Sequence, residues 1–156
     1  MNGNEQIITR FYTAFSQLDY AVMQQCYNAD AIFNDPVFGI LQRAEVGAMW
    51  EMLCRNAKEF SLRFSDIQLL DEEYATCRWV AVYRFSATGR MVTNTIKAHL
   101  RIQEGVITEH TDQFDFWKWS RQALGLPGVL LGWSGYMQNK VRHKARKNLE
   151  RFMEGA

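Results

Sequence analysis

The sequence predicts an α+β fold, with a curved antiparallel sheet wrapped around N-terminal helices and a further helix at the C-terminal end. Two changes of period carry this prediction. Apolar residues recur at helical spacing as far as Lys58, alternate at strand spacing from Phe60 to Phe116, and return to helical spacing near the end of the chain. The connections between the alternating runs are two to four residues long, which suits hairpins and therefore antiparallel neighbours.

Ile7, Ile8, Phe11, Tyr12, Phe15 and Leu18 define an amphipathic first helix ending near Gln17. Asp19 is placed to cap a short second helix over Tyr20 to Tyr27. In Ala31 to Phe38 the proline biases Asp35 towards an extended conformation, so Asp35 falls at a strand end or turn. Val46, Met49, Trp50 and Leu53 mark a third helix between Arg43 and Lys58.

Four strands follow: Ser61 to Leu70, Tyr74 to Ser86, Met91 to Gln103 and Val106 to Phe116. Trp79, Ala81, Tyr83 and Phe85 form the aromatic, enclosed side of the second. Asn94 is the polar exception on the apolar face of the third, where an amide needs partners or orients a ligand's carbonyl or hydroxyl. The tail has an aromatic-rich turn or helix from Trp117, then Gly125-Leu126-Pro127-Gly128. It ends in a helix with Trp133, Met137, Val141, Ala145 and Leu149 on one face and Lys140 to Lys147 on a basic, solvated one.

With 156 residues, 47% of them hydrophobic and 22% charged, the chain suits one globular domain. Positions 1–156 are read as that domain, with its core at about 5–125 and a C-terminal extension at about 126–156. A net charge of +1 gives no reason to expect nucleic acid. Cys26, Cys54 and Cys77 are too scattered for a disulfide framework or a zinc site and are read as buried thiols. Met1 to Arg10 has no signal-peptide pattern and no segment approaches the roughly 20 apolar residues of a span, so a cytoplasmic protein without a membrane partner is expected. No Gly-rich phosphate loop, HExxH or nucleophile elbow occurs, and no cofactor or metal is expected.

The run Thr9-Arg10-Phe11-Tyr12-Thr13-Ala14-Phe15, with Leu18-Asp19 and Asp30-Ala31-Ile32-Phe33-Asn34-Asp35-Pro36-Val37, resembles the opening of ketosteroid isomerases and the wider nuclear-transport-factor-2-like group. Gly105 to Asp115 resembles the last strand of SnoaL-like polyketide cyclases and limonene-epoxide-hydrolase-like proteins, and Gln122-Ala123-Leu124-Gly125 resembles the tail of SnoaL-like domains. The resemblance implies a cone-shaped, cystatin-like fold with a ligand pocket. It places the isomerase base on Asp35 and the cyclase acid/base on Asp112. The isomerase's oxyanion donors fall on Phe11, beside Tyr12, and on Ala98; the hydrolase's arginine and aspartate fall near Trp79 and Ala81. Steroid isomerisation and epoxide hydrolysis are therefore disfavoured.

Asp35, His110 and Asp112 are the candidate catalytic residues, with Tyr12, Phe33, Trp50, Trp79, Tyr83, Asn94 and Phe114 as candidate ligand contacts. Asp35 is either a pocket base or a turn-forming aspartate. His110 and Asp112 share a strand face as a potential acid/base pair, inward with Phe114 unless a bulge leaves Glu109, Thr111 and Gln113 inside instead. Three functions follow: a cofactor-free acid/base enzyme for a small apolar carbonyl compound, a non-catalytic binder of such a ligand, or an interaction module. A homodimer joined through the sheet face is expected alongside.

Overall fold

The computed structural model describes residues 2–155, so the terminal positions of the predicted domain lie outside the described range. Three helices and two strands come first: α1 (Gly3–Ser16), α2 (Tyr20–Gln25), β1 (Tyr27–Asp35), β2 (Gly39–Gln42) and α3 (Ala44–Asn56). Then come β3 (Ser61–Leu69), β4 (Tyr74–Arg84), β5 (Met91–Gln103) and β6 (Val106–Gln113), followed by α4 (Phe116–Leu124), α5 (Leu126–Leu131) and α6 (Gly135–Glu154). The six strands form one curved, open sheet in the order β2-β1-β6-β5-β4-β3.

Local chemistry sets many of these boundaries. The Asp19 carboxylate accepts from Val22 N–H at the start of α2, and Asp115 accepts from Lys118 N–H at the start of α4. The β5–β6 hairpin turns on Glu104 and Gly105, both at positive φ (52° and 78°), the twist a two-residue hairpin needs.

Two strands are additional to the predicted four. β1 was hard to see because Asn28, Asp30 and Asn34 interrupt its apolar pattern, and only Ala31 and Phe33 are fully buried along it. Its first residue, Tyr27, was assigned to the second helix, which ends at Gln25. β1 also corrects the purely antiparallel sheet, since it runs parallel to β6, pairing Phe33 with His110 and Asn34 with Thr111. A parallel pair joins segments remote in sequence, and no hairpin turn announces it.

The tail holds three helices. Trp133, expected in the apolar face of the last, lies before α6 and is largely exposed. The basic face is only partly solvated: Arg146 donates to the carbonyls of Phe38 and Ile40, and Arg142 to that of Pro36. Gln122 of α4 pairs with both backbone groups of Thr93, accepting at 2.8 Å and donating at 3.1 Å, where β5 runs on beyond the end of β6. The main core lies between α1, α3 and the inner sheet face. A smaller one, of Val92, Phe116, Trp119, Ala123 and Met137, fixes the C-terminal helices to the end of β5.

Candidate active site

A β-bulge decides which side chains of β6 enter the interior. Ile107 pairs with Ile102 and Glu109 with Arg101, so two residues of β6 advance against one of β5, leaving Thr108 over. The extra residue resets the alternation. Ile107, His110 and Asp112 all point inward, and His110 and Asp112 stand opposite the buried Leu100 and Ala98.

The buried polar groups form a directed chain. Trp50 Nε1–H donates to Tyr27 Oη at 2.9 Å, Tyr27 Oη lies 2.6 Å from His110 Nδ1, and His110 Nε2 lies 2.8 Å from Asp112 Oδ1. Because Tyr27 accepts from Trp50, its own proton goes to Nδ1, which puts the imidazole proton on Nε2, aimed at the carboxylate. Trp79 Nε1–H adds a 3.4 Å contact to the same Oδ1. Every donor in the chain is satisfied, and Asp112 Oδ2 takes no protein hydrogen bond among the described residues. Burial, reinforced by the Asp112 charge, raises the Tyr27 hydroxyl well above its ordinary pKa, so it stays a neutral donor.

At the end of β1, Asp35 Oδ1 accepts from Val37 N–H at 3.0 Å and Phe38 N–H at 2.6 Å, closing a turn across Pro36. The turn-forming role is thus present, and the same side chain also lines the interior cavity. Burial pushes the Asp35 carboxyl up from 3.8 to about 7. The Phe38 and Val37 amides and His110 oppose the rise, and the Asp112 charge adds to it.

The cavity has a volume of about 830 Å³, the size of an ordinary small-molecule site. Asp35, Trp50, Trp79, Tyr83, Asn94, Asp112 and Phe114 lie on its wall. Tyr12, Phe33 and His110 do not. They are packed one layer behind: Tyr12 stacks on Phe64 with centroids 5.6 Å apart, and Phe33 meets the His110 ring edge-on at 5.1 Å. The Tyr12 hydroxyl is buried without a hydrogen-bond partner among the described residues. His110 therefore reaches the cavity only through Asp112, and both of its ring nitrogens are already engaged. No group of three or more metal-ligating side chains is assembled among the described residues.

The amide of Asn94, 8% exposed, makes no hydrogen bond to the protein among the described residues and faces the cavity. Tyr83 accepts from Trp119 Nε1–H at 2.9 Å, which leaves its own proton available. Sequence reasoning missed three contributors. Tyr27 was hidden in a helix assignment, Trp119 gave no sign of reaching Tyr83, and Val141, Ala145 and Phe152 of α6 form a wall whose only signal was helical spacing.

The molecule is a cone: a curved sheet closed by helices over an apolar cavity with carboxylates on its wall. A model of the SnoaL-like domain matches residues 8–110, more than half of the chain, and the chain belongs to that family. The match ends two residues short of Asp112. No curated protein matches the sequence. Similar solved structures include a protein of ketosteroid isomerase-like fold from Catenulispora acidiphila in complex with trimethylamine, with 15% identity and a TM-score of 0.67 over 79% of this chain and 95% of that one. A candidate polyketide cyclase from Pseudomonas putida shares 21% identity and a TM-score of 0.65 over 79% and 98%. TerC, co-crystallised with polyporic acid, shares 14% identity and a TM-score of 0.61 over 73% of this chain and 92% of its own. At these identities the likeness is one of fold.

Proposed function

We propose that the protein is a cofactor-free acid/base enzyme that moves a proton on a small, mainly apolar carbonyl compound held in the cavity. The observation that carries this reading is the presence of two carboxylates, Asp35 and Asp112, on one apolar wall, each with its second oxygen left without a protein donor among the described residues. Asp112, oriented by His110 and Trp79, removes a proton from the carbon next to the carbonyl. The C–H electron pair moves into the enolate, and Asp35, whose carboxyl titrates near 7, returns a proton elsewhere on the ligand. Asn94 and Tyr83 supply donors for the oxygen where negative charge develops. The small ligands held by structural relatives, trimethylamine and polyporic acid, suit such a cavity.

A second reading, binding without chemistry, is favoured by one observation. The positions matching the isomerase oxyanion donors carry Phe11 and Ala98, both fully buried and unable to donate. Exchange of carbon-bound hydrogen for deuterium, followed by NMR over a panel of cyclic ketones and 1,3-diketones, separates the two. Enzyme-dependent exchange that falls by roughly 10²–10⁴-fold in Asp112→Asn is expected. The substituted amide oxygen still accepts from His110 and Trp79, so the variant should keep the fold. Saturable binding without exchange overturns the catalytic reading and leaves the binder. The same proposal includes a cytoplasmic site of action and a homodimer formed through the outer sheet face, where Lys97 and His99 stand; a monomer in sedimentation velocity removes the dimer.

A further inference from the structure

The helix α5 sits on α4 the opposite way round from an ordinary amphipathic helix. Gly128 and Gly132 are buried against Ser120, so closely that a Cβ on Gly128 would overlap the Ser120 carbonyl oxygen and one on Gly132 the Ser120 hydroxyl. With glycines inside, the large side chains point to solvent: Leu126, Val129, Leu130 (60% exposed), Leu131 and Trp133 (69% exposed). Tyr136 (66% exposed), at the start of α6, continues the surface. Single exposed apolar residues are ordinary, but a contiguous set of this size marks an interaction surface.

The segment that carries this surface has charged side chains of one sign. Residues 116–149 contain seven lysines and arginines and no aspartate or glutamate, whereas the rest of the chain holds the other 11 basic residues against all 17 acidic ones. A chain of net charge +1 thus separates into a segment of +7 and a remainder of −6. The cations are also close by. The Arg121 guanidinium lies 4.5 Å above the Trp117 ring, whose Nε1–H reaches the Val129 carbonyl. On α6, Tyr136, Lys140, His143 and Lys147 follow one another at helical spacing along an exposed stripe.

Leucine and tryptophan side chains directed outward, flanked along the chain by lysine and arginine, are complementary to a lipid interface with negative headgroups. A nucleic acid would not use the leucines. We infer that the α5 surface and the basic stripe of α6 dock the protein on an anionic phospholipid bilayer, with the chain lying on the surface. No helix among the described residues is long and apolar enough to cross it. Docking there sets α6, which also forms a wall of the cavity, beside a reservoir of apolar compounds.

Co-sedimentation of the full chain with vesicles tests the inference. Pelleting is expected with phosphatidylcholine vesicles containing about a third phosphatidylglycerol, and little with phosphatidylcholine alone. The double variant Leu130→Ser/Trp133→Ser should lose about tenfold or more in partitioning, and Arg121→Glu/Lys140→Glu should lose it most at low salt. The altered side chains are exposed, and a wild-type circular dichroism spectrum verifies that the variants fold. Absence of pelleting with anionic vesicles, equal pelleting with neutral ones, or equal pelleting of wild type and the leucine–tryptophan variant overturns the inference. So does self-association that this variant abolishes, because the surface is then covered by a second copy.

Discussion

Asp35 carries a turn with one carboxylate oxygen and faces the cavity with the other, and the two tasks make opposite demands on its proton. The turn is served by an acceptor at Oδ1, whether or not the group is charged. Burial favours the neutral acid and lifts the carboxyl to about 7, against 3.8 in an unfolded chain. Below about pH 3.8 both states hold the proton and the fold bears no cost. As pH rises the unfolded chain releases its proton first, and stability falls until the folded carboxyl also ionises near 7. The deficit above that pH is at most roughly 4 kcal/mol, less to the extent that water reaches the group. Asparagine keeps the acceptor and removes the ionisation. Asp35→Asn is therefore expected to be more stable than the wild type at pH 8 and nearly equal to it at pH 4, by urea unfolding at both, while losing proton transfer. A difference independent of pH would show that the carboxyl is not perturbed.

At the scale of elements, legibility followed locality. β3 to β6 were visible because their alternation and their turns lie within a few residues of each other, and the Asp19 cap was visible for the same reason. β1 was not, because its burial comes from β6, more than 70 residues away in sequence, and its own pattern is broken by asparagine and aspartate. The bulge at Thr108 left only a hint, two consecutive apolar residues at Val106 and Ile107, yet it sets which side of β6 faces the cavity. Trp79, Tyr83, Asn94, Asp112 and Phe114 of the wall could be named from strand parity, whereas Tyr27 and α6 could not, since both depend on contacts across the sheet, and the candidates Tyr12 and Phe33 lie one layer behind the wall. The α4–α5 joint makes a sharper statement about packing. Gly128→Ala forces backbone apart at Ser120 and should cost about 1–3 kcal/mol. Calorimetry should show a lower Tm, and hydrogen exchange should quicken in residues 126–134 while β4 and β5 keep their protection; an unchanged Tm would mean the joint is loose.

Taken whole, the molecule is a sheet with its cavity walled by α6, which is held across a long stretch of sequence. Gln138 and Arg142 reach the Pro36 carbonyl, and Arg146 the carbonyls of Phe38 and Ile40, over separations of 102–108 residues. Only Met137 and Leu149 of α6 are buried. Few buried apolar contacts mean a low free energy of local opening. Exchange at α6 amides is expected to be faster than at β5 amides, and to slow on ligand binding; uniform protection would show that wall and sheet open as one. The same strap has a consequence for the order in which the protein is made. During synthesis the turn at Pro36 emerges with its carbonyl uncovered and waits for more than a hundred further residues before its partners exist. The sheet can form in that interval, so the nascent chain passes through a stage in which the cavity is an open trough with its apolar floor in water, a form that a chaperone or an early ligand would meet first.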